Sequence, residues 1–511
     1  MKKQFIRTRR VRYGGISVVL TLLVVTVTLL FNACFSTLAT RYQWHTDLTA
    51  KTRYEVSDES YALLDGLFAA EPNKQVEIIF CNTEKNVKAD LELSYVYETA
   101  SSFASRYADR LTVHCYDTVT NPEKVRAYAT ATNLTTGETG EIPIYTTSVI
   151  VVSKNYHRVY SLEEFFVFED GDLSKAWAYN GEKKLASGIL RALDDKLPTV
   201  CLTNNHGEVF YDYELLYLLD DAGYSITHLD LYSEEIPENC DLIISYNPNT
   251  DLIDDALSER SEVDILNEFL AQEGKNFLVL LENGTPALPN LERFLADWGF
   301  AFRYHTDASN GNSYRYMVQN DAQSLTSDGY TIYGEAVENA RTEALLQGSP
   351  RKVVFQNATA MSAANGFVNN GDGSYTKGNR TLYRLFESGD DAVSWAHGAP
   401  VSGENVMLMG VTEQTDGTKS SRVGVLSSVR FFTEDFLQSA VYGNTDVAMR
   451  LFESFGKEAV PAGLTIKPFL SKDISTITTA EMVRWTVALA ATPALLFGVL
   501  AVVVLVKRRR A

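Results

Sequence analysis

The sequence predicts an α/β protein made of two successive layers, with one membrane-spanning helix at each end. Three observations carry that expectation. Strand-like aliphatic runs alternate with amphipathic helical stretches from about residue 76 to residue 281. Two long stretches near the termini contain no formal charge. The 511 residues, 45% hydrophobic and 22% charged, are too many for one small core and lack the composition of a disordered, collagenous or coiled-coil chain.

The ends come first. Tyr13 to Thr40 is a run of 28 uncharged residues, and Trp485 to Val506 is a run of 22. At 1.5 Å per residue each reaches about 30 Å, the thickness of a bilayer core. Pro493 and Gly498 in the second run are tolerated in membrane helices. The basic tails, residues 1–13 and 507–511, hold no acidic residue, whereas all 65 carboxylates lie between Arg41 and Arg484. Positive flanks stay inside, so spans at 14–39 and 485–506 predict a two-pass protein of the cell membrane, with both termini cytoplasmic and the bulk extracytoplasmic. A cleaved leader is the alternative for the first run. Phe31-Asn32-Ala33 ahead of Cys34 is a poor lipidation signal. The net charge of −19 disfavours binding to nucleic acid phosphates.

Between the spans, Ser57 reads as a helix cap followed by Leu63, Leu64, Leu67 and Phe68 at helical spacing. Strands follow at 76–81 and 111–116 with an amphipathic helix over 90–108 between them. Further strands at 148–153 and 158–160 precede a helix around Glu182–Leu193. This order over 41–197 suggests a thioredoxin-like layer, without the Cys-x-x-Cys of a redox enzyme. Pro198 opens a second region, 198–460. Strands at 199–203, 225–231, 241–246 and 276–281 alternate with helices at 213–221 and 258–273, which predicts a flavodoxin-like doubly wound parallel sheet. Residues 303–380, rich in Asn, Gly, Ser, Thr and Tyr, read as a loop-heavy β insertion. Strands at 405–409 and 422–426 and a helix around Val447–Phe455 resume the pattern, and a polar connector over 461–484 leads to the second span.

Catalytic patterns are sparse. Gly417-Thr418-Lys419-Ser420 lacks the Walker order and reads as a hairpin tip, so no direct ATP binding is expected. None of the seven histidines has another at zinc-ligand spacing, and no metal or cofactor is expected. Asn205, His206, Gly207 and Glu208 follow the first strand of the second layer, where open parallel sheets bind ligands, and are the candidate ligand or partner contacts. Cys201 with His206 and Glu208 would supply thiolate, base and orienting carboxylate to a cell-surface hydrolase, although Cys201 lies mid-strand with no glycine elbow around it. Cys81 and Cys115 lie near strand ends; a disulfide is permitted outside the cytoplasm, and buried free thiols are the commoner outcome.

Asp47-Leu48-Thr49 followed by Tyr54-Glu55-Val56-Ser57 resembles a segment of ABC-transporter auxiliary proteins of the gliding-motility GldG type. His206-Gly207-Glu208 after a strand, Ile236-Pro237 before Cys240–Ile244, Asn444-Thr445-Asp446 and the closing span with its Lys-Arg-Arg tail continue the resemblance. Asn204-Asn205 stands where the family has a glycine before the histidine, and Asn247-Pro248 replaces its Gly-Pro. The resemblance implies a second layer like a glutamine amidotransferase that has lost its catalytic residues. It also implies a non-enzymatic, membrane-anchored auxiliary subunit of an ABC transporter, with a separate permease and a cytoplasmic ATPase as partners. A surface hydrolase and an envelope scaffold or sensor are the alternatives.

Overall fold

In the computed structural model the described residues are 55–456, apart from 170–171, 194–196, 209, 255–259, 310, 312, 348–350, 397–398, 403–404, 418 and 440, together with 26, 464 and 466–469. By its contacts the chain divides into Met1–Glu55 and Val56–Ala511. Both α/β layers belong to the second unit.

The first layer opens with helix α1 (Asp58–Ala70), which Ser57 caps by accepting from the Ser60 N–H. Strand β1 (Val76–Phe80) leads to α2 (Leu91–Arg106), capped by Asp90, whose carboxylate accepts from the N–H groups of Glu92 and Leu93. Strand β2 (Leu111–Cys115) runs parallel to β1, and β3 (Val149–Val152) and β4 (His157–Tyr160) follow antiparallel, giving the order β2-β1-β3-β4. A small hairpin, Thr130–Thr132 with Thr139–Glu141, stands apart from this sheet. Helix α3 (Gly181–Leu193) closes the layer, packing Leu185 and Ile189 into a core with Leu64, Ile78, Phe103 and Tyr160.

The second layer is a mixed sheet. Strand β5 (Thr199–Thr203), helix α4 (Glu214–Asp221), β6 (Ser225–Leu229), β7 (Cys240–Tyr246), α5 (Glu262–Leu270), β8 (Asn276–Leu280) and α6 (Pro289–Asp297) make the doubly wound part. Beyond it come β9 (Thr331–Ala336), α7 (Ala340–Leu346), β10 (Val353–Gln356), β11 (Arg380–Glu387), β12 (Met407–Asp416), β13 (Lys419–Leu426) and α8 (Asn444–Ser454). The order is β6-β5-β7-β8-β13-β12-β11-β9-β10. Pairs from β6 to β13 are parallel, and those from β13 to β10 are antiparallel. Successive residues of a strand face opposite sides. Val200, Leu202, Leu242 and Ile244 therefore join the core beneath α4 and α8, while Cys201, Ile243 and Phe277 join the core beneath α5 and α6.

Two expectations are corrected. The sheet is not parallel throughout, and residues 303–380 are not merely an insertion: β9 and β10 extend the same sheet through antiparallel pairs whose hydrogen bonds need no crossover helix. The membrane-anchored class and its two-pass localisation are also corrected, because among the described residues no helix is long and apolar enough to cross a membrane. The expected spans at 14–39 and 485–506 lie outside the described residues, Thr26 excepted, as do both basic tails.

Candidate functional site

The parallel sheet reverses direction of growth between β5 and β7, and the loops leaving their carboxyl ends flank that point. The first loop carries the four sequence-predicted residues, and the structure brings them together. Asn205 and Gly207 adopt left-handed backbone, with φ of 71° and 72°. This turns the His206 carbonyl toward the second loop, where it accepts from the N–H groups of Asn249 (2.7 Å) and Thr250 (2.8 Å). The Gly207 carbonyl accepts from Asn249 Nδ2 at 2.9 Å. A Cβ at Gly207 would lie 3.3 Å from that of Asn249, so glycine serves both the dihedral and the close approach.

His206 is only 4% exposed and sits between two carboxylates. Its Nε2 is 3.0 Å from Glu262 Oε2, while Nδ1 lies 3.4 Å from Glu208 Oε1 without hydrogen-bond geometry, a contact of charge attraction. Burial alone would push the imidazole down, but Glu208 and Glu262 outweigh it and lift its pKa to about 10. Glu208 also accepts from Thr203 Oγ1 (2.7 Å) and the His206 N–H (2.8 Å), and Glu262 from the Ile253 N–H (2.6 Å). Asn205 Nδ2 donates to Asp230. The chain itself thus fills most of this polar capacity, and the cluster clasps the loops after β5 and β7 to α5.

Cys201 is fully buried and points to the α5/α6 face beside Cys240. The adjacent Cys240 thiol and burial hold the Cys201 thiol far above the usual range. The hydrolase reading of Cys201, His206 and Glu208 is corrected on that geometry. Cys81 and Cys115 are free thiols, pushed up chiefly by burial to about 12 and about 11. At Gly417 the chain turns between Asp416 and Lys419, which are paired across the hairpin of β12 and β13.

A second site was not anticipated. A cleft of about 1270 Å³ lies between the two layers, walled by the Thr130–Glu141 hairpin, α3, α4 and residues near α8. Its ion pairs are largely self-contained. Lys184 Nζ reaches both oxygens of Asp221 at 2.9 and 2.8 Å, Arg191 meets Asp220 at 2.7 Å with Arg158 beside it, and Arg351 pairs with Asp446. Lys183 differs. It lines the cleft, is 5% exposed, and has no hydrogen-bond or ion-pair partner among the described residues. Burial lowers its pKa despite the charges of Asp221, Asp446 and Glu214. Glu214, on the same cleft, has a carboxyl raised by burial to about 7, although Lys184 is near and Gln438 Nε2 donates to it at 3.1 Å. Tyr213 and Tyr217 stand exposed along the same wall. Glu182-Lys183-Lys184 is charged in sequence, and the packing of α3 against α1, α2 and α4 hides it.

No family model and no curated protein matches this sequence. Among solved structures the chain is similar to one described as the mmIFT52 N-terminal domain, at 15% identity and a TM-score of 0.36, over 50% of this chain and 97% of that one. It is also similar to PurLQS from Thermotoga maritima, at 13% identity and a TM-score of 0.24, over 51% of this chain and 97% of that one. Likeness at this level carries no argument about function. The expected role as a membrane-anchored, GldG-like subunit of an ABC transporter is corrected, since no membrane-crossing helix is found among the described residues and no match supports that family.

Proposed function

We propose that the two α/β layers form a non-catalytic binding module that takes a short zwitterionic peptide in the cleft between them. The observation that carries this reading is Lys183, a buried ammonium left without a hydrogen-bond or ion-pair partner among the described residues, on the wall of the cleft. Burying an unpaired charge opposes folding, and such groups persist where a ligand completes them. A ligand carboxylate satisfies Lys183, and a ligand ammonium satisfies Glu214 when its carboxyl is ionised. The Thr130–Glu141 hairpin forms a ladder only with itself among the described residues, so its strand edges, apart from Thr130 where His157 is bound, are available to an extended backbone. Tyr213 and Tyr217 add apolar faces with polar tips.

Calorimetric titration of the purified full chain with trialanine tests the reading. Saturable binding is expected, weaker for the C-terminal amide and for the N-acetylated form, and lost in Lys183→Met. Absence of saturable binding, or equal affinity in Lys183→Met and the parent, overturns it.

A further inference from the structure

A smaller pocket of about 240 Å³ opens on the second layer, where α7 and α8 lie across β11, β12 and β13. Its floor is apolar: Leu345, Leu385, Val411 and Leu451 are all buried. Three arginines surround it. Two of them are spent on one carboxylate, since Arg422 Nη2 meets Glu413 at 2.9 Å and Arg341 meets its other oxygen. Arg450 is different. Its guanidinium makes no ion pair or hydrogen bond among the described residues, and its Nε is shielded from solvent with no acceptor. Arg450 and Glu453, both on α8 and both lining the pocket, form no ion pair with each other.

We infer that this pocket is a binding site for a medium-chain monocarboxylate, its headgroup on Arg450 and its alkyl chain on the leucine and valine floor. Two needs meet there. A guanidinium presents parallel donors whose geometry matches one carboxylate. The apolar floor gains from any hydrocarbon that displaces water. A larger polyanion fits poorly, because Glu413 already neutralises much of the neighbouring arginine charge. The volume is below the usual range for drug-sized ligands, which suits a small amphiphile. The site shares no lining residue with the interlayer cleft and does not depend on the peptide-binding reading.

The test is calorimetric titration of the purified full chain with octanoate, 1-octanol and octylammonium. Octanoate is expected to bind one to one and about tenfold more tightly than 1-octanol, the loss that follows when a charged hydrogen bond is missing. Arg450→Gln is expected to weaken octanoate about tenfold and to leave 1-octanol unchanged. Lys183→Met is expected to bind octanoate like the parent chain, which separates this site from the cleft. Octanoate no tighter than 1-octanol, or undiminished in Arg450→Gln, overturns the inference. Should Arg450→Gln fail to fold by circular dichroism, the comparison of octanoate with 1-octanol on the parent chain decides alone.

Discussion

Replacing Lys183 by methionine removes a buried ammonium while keeping most of the side-chain length. In the parent chain Lys183 is 5% exposed and lines the cleft, with no hydrogen-bond or ion-pair partner among the described residues. Asp221, the largest favourable charge acting on it, is already engaged by both oxygens with Lys184. Lys183 therefore bears a desolvation cost with little return, and an unsatisfied buried polar group costs about 1–3 kcal/mol, more when charged. Lys183→Met is expected to raise the free energy of unfolding by about that amount in urea titrations of the ligand-free protein. The pH dependence gives a second signature. Because burial lowers the folded pKa below the unfolded value of about 10.4, the unfolded chain holds more protons in the window between the two. Parent stability should rise with pH through that window, and the advantage of Lys183→Met should shrink as pH approaches about 10.4. A variant less stable than the parent, or an advantage independent of pH up to that point, would refute the argument that this ammonium is unpaired and costly.

Two further outcomes follow from the loop clasp and the core thiols. His206→Gln leaves Glu208 and Glu262 facing each other without the cation between them, so a loss of about 3–5 kcal/mol is expected in the same titrations. The folded pKa of His206 is raised to about 10 from 6.5, so its stabilisation is complete below 6.5 and fades as pH rises toward 10; the variant should lack that slope. A stability profile over that range unchanged by the substitution would contradict the clasp. Cys81, Cys201 and Cys240 are buried, so a thiol reagent should modify them only on addition of denaturant; rapid labelling of Cys201 in the folded chain would reopen nucleophilic chemistry there.

Much of the secondary structure was legible in the sequence because local chemistry fixes it. Ser57 caps the helix it precedes, and the aliphatic runs at 76–80, 240–246 and 276–280 are strands. The region 303–380 was less legible. The strand Thr331–Ala336 passes from buried to exposed along its length, and Gly- and Asn-rich turns surround it, so its composition resembles a loop. Pairing with Val353–Gln356 and with the end of Arg380–Glu387 makes it part of the sheet, and those partners are distant in the chain.

The candidate site divides in the same way. The sequence by itself determined that His206, Gly207 and Glu208 follow a strand of a parallel sheet, and the loop is there. Only the tertiary structure decided that Glu262, 56 residues later, occupies the imidazole and leaves the cluster a clasp. Strand alternation placed Cys201 on the face of the sheet beneath α5 and α6, but that Cys240 shares this core, while Ile243 is the register partner of Cys201, needed the alignment of β5 with β7. Lys183 shows the limit most clearly. Helical periodicity identifies which residues share a face, yet whether a charged face meets water depends on what packs across it, and here α1, α2 and α4 pack against α3. Sequence spacing encodes contacts within an element; the exposure of a charge is set by surfaces contributed from elsewhere in the chain.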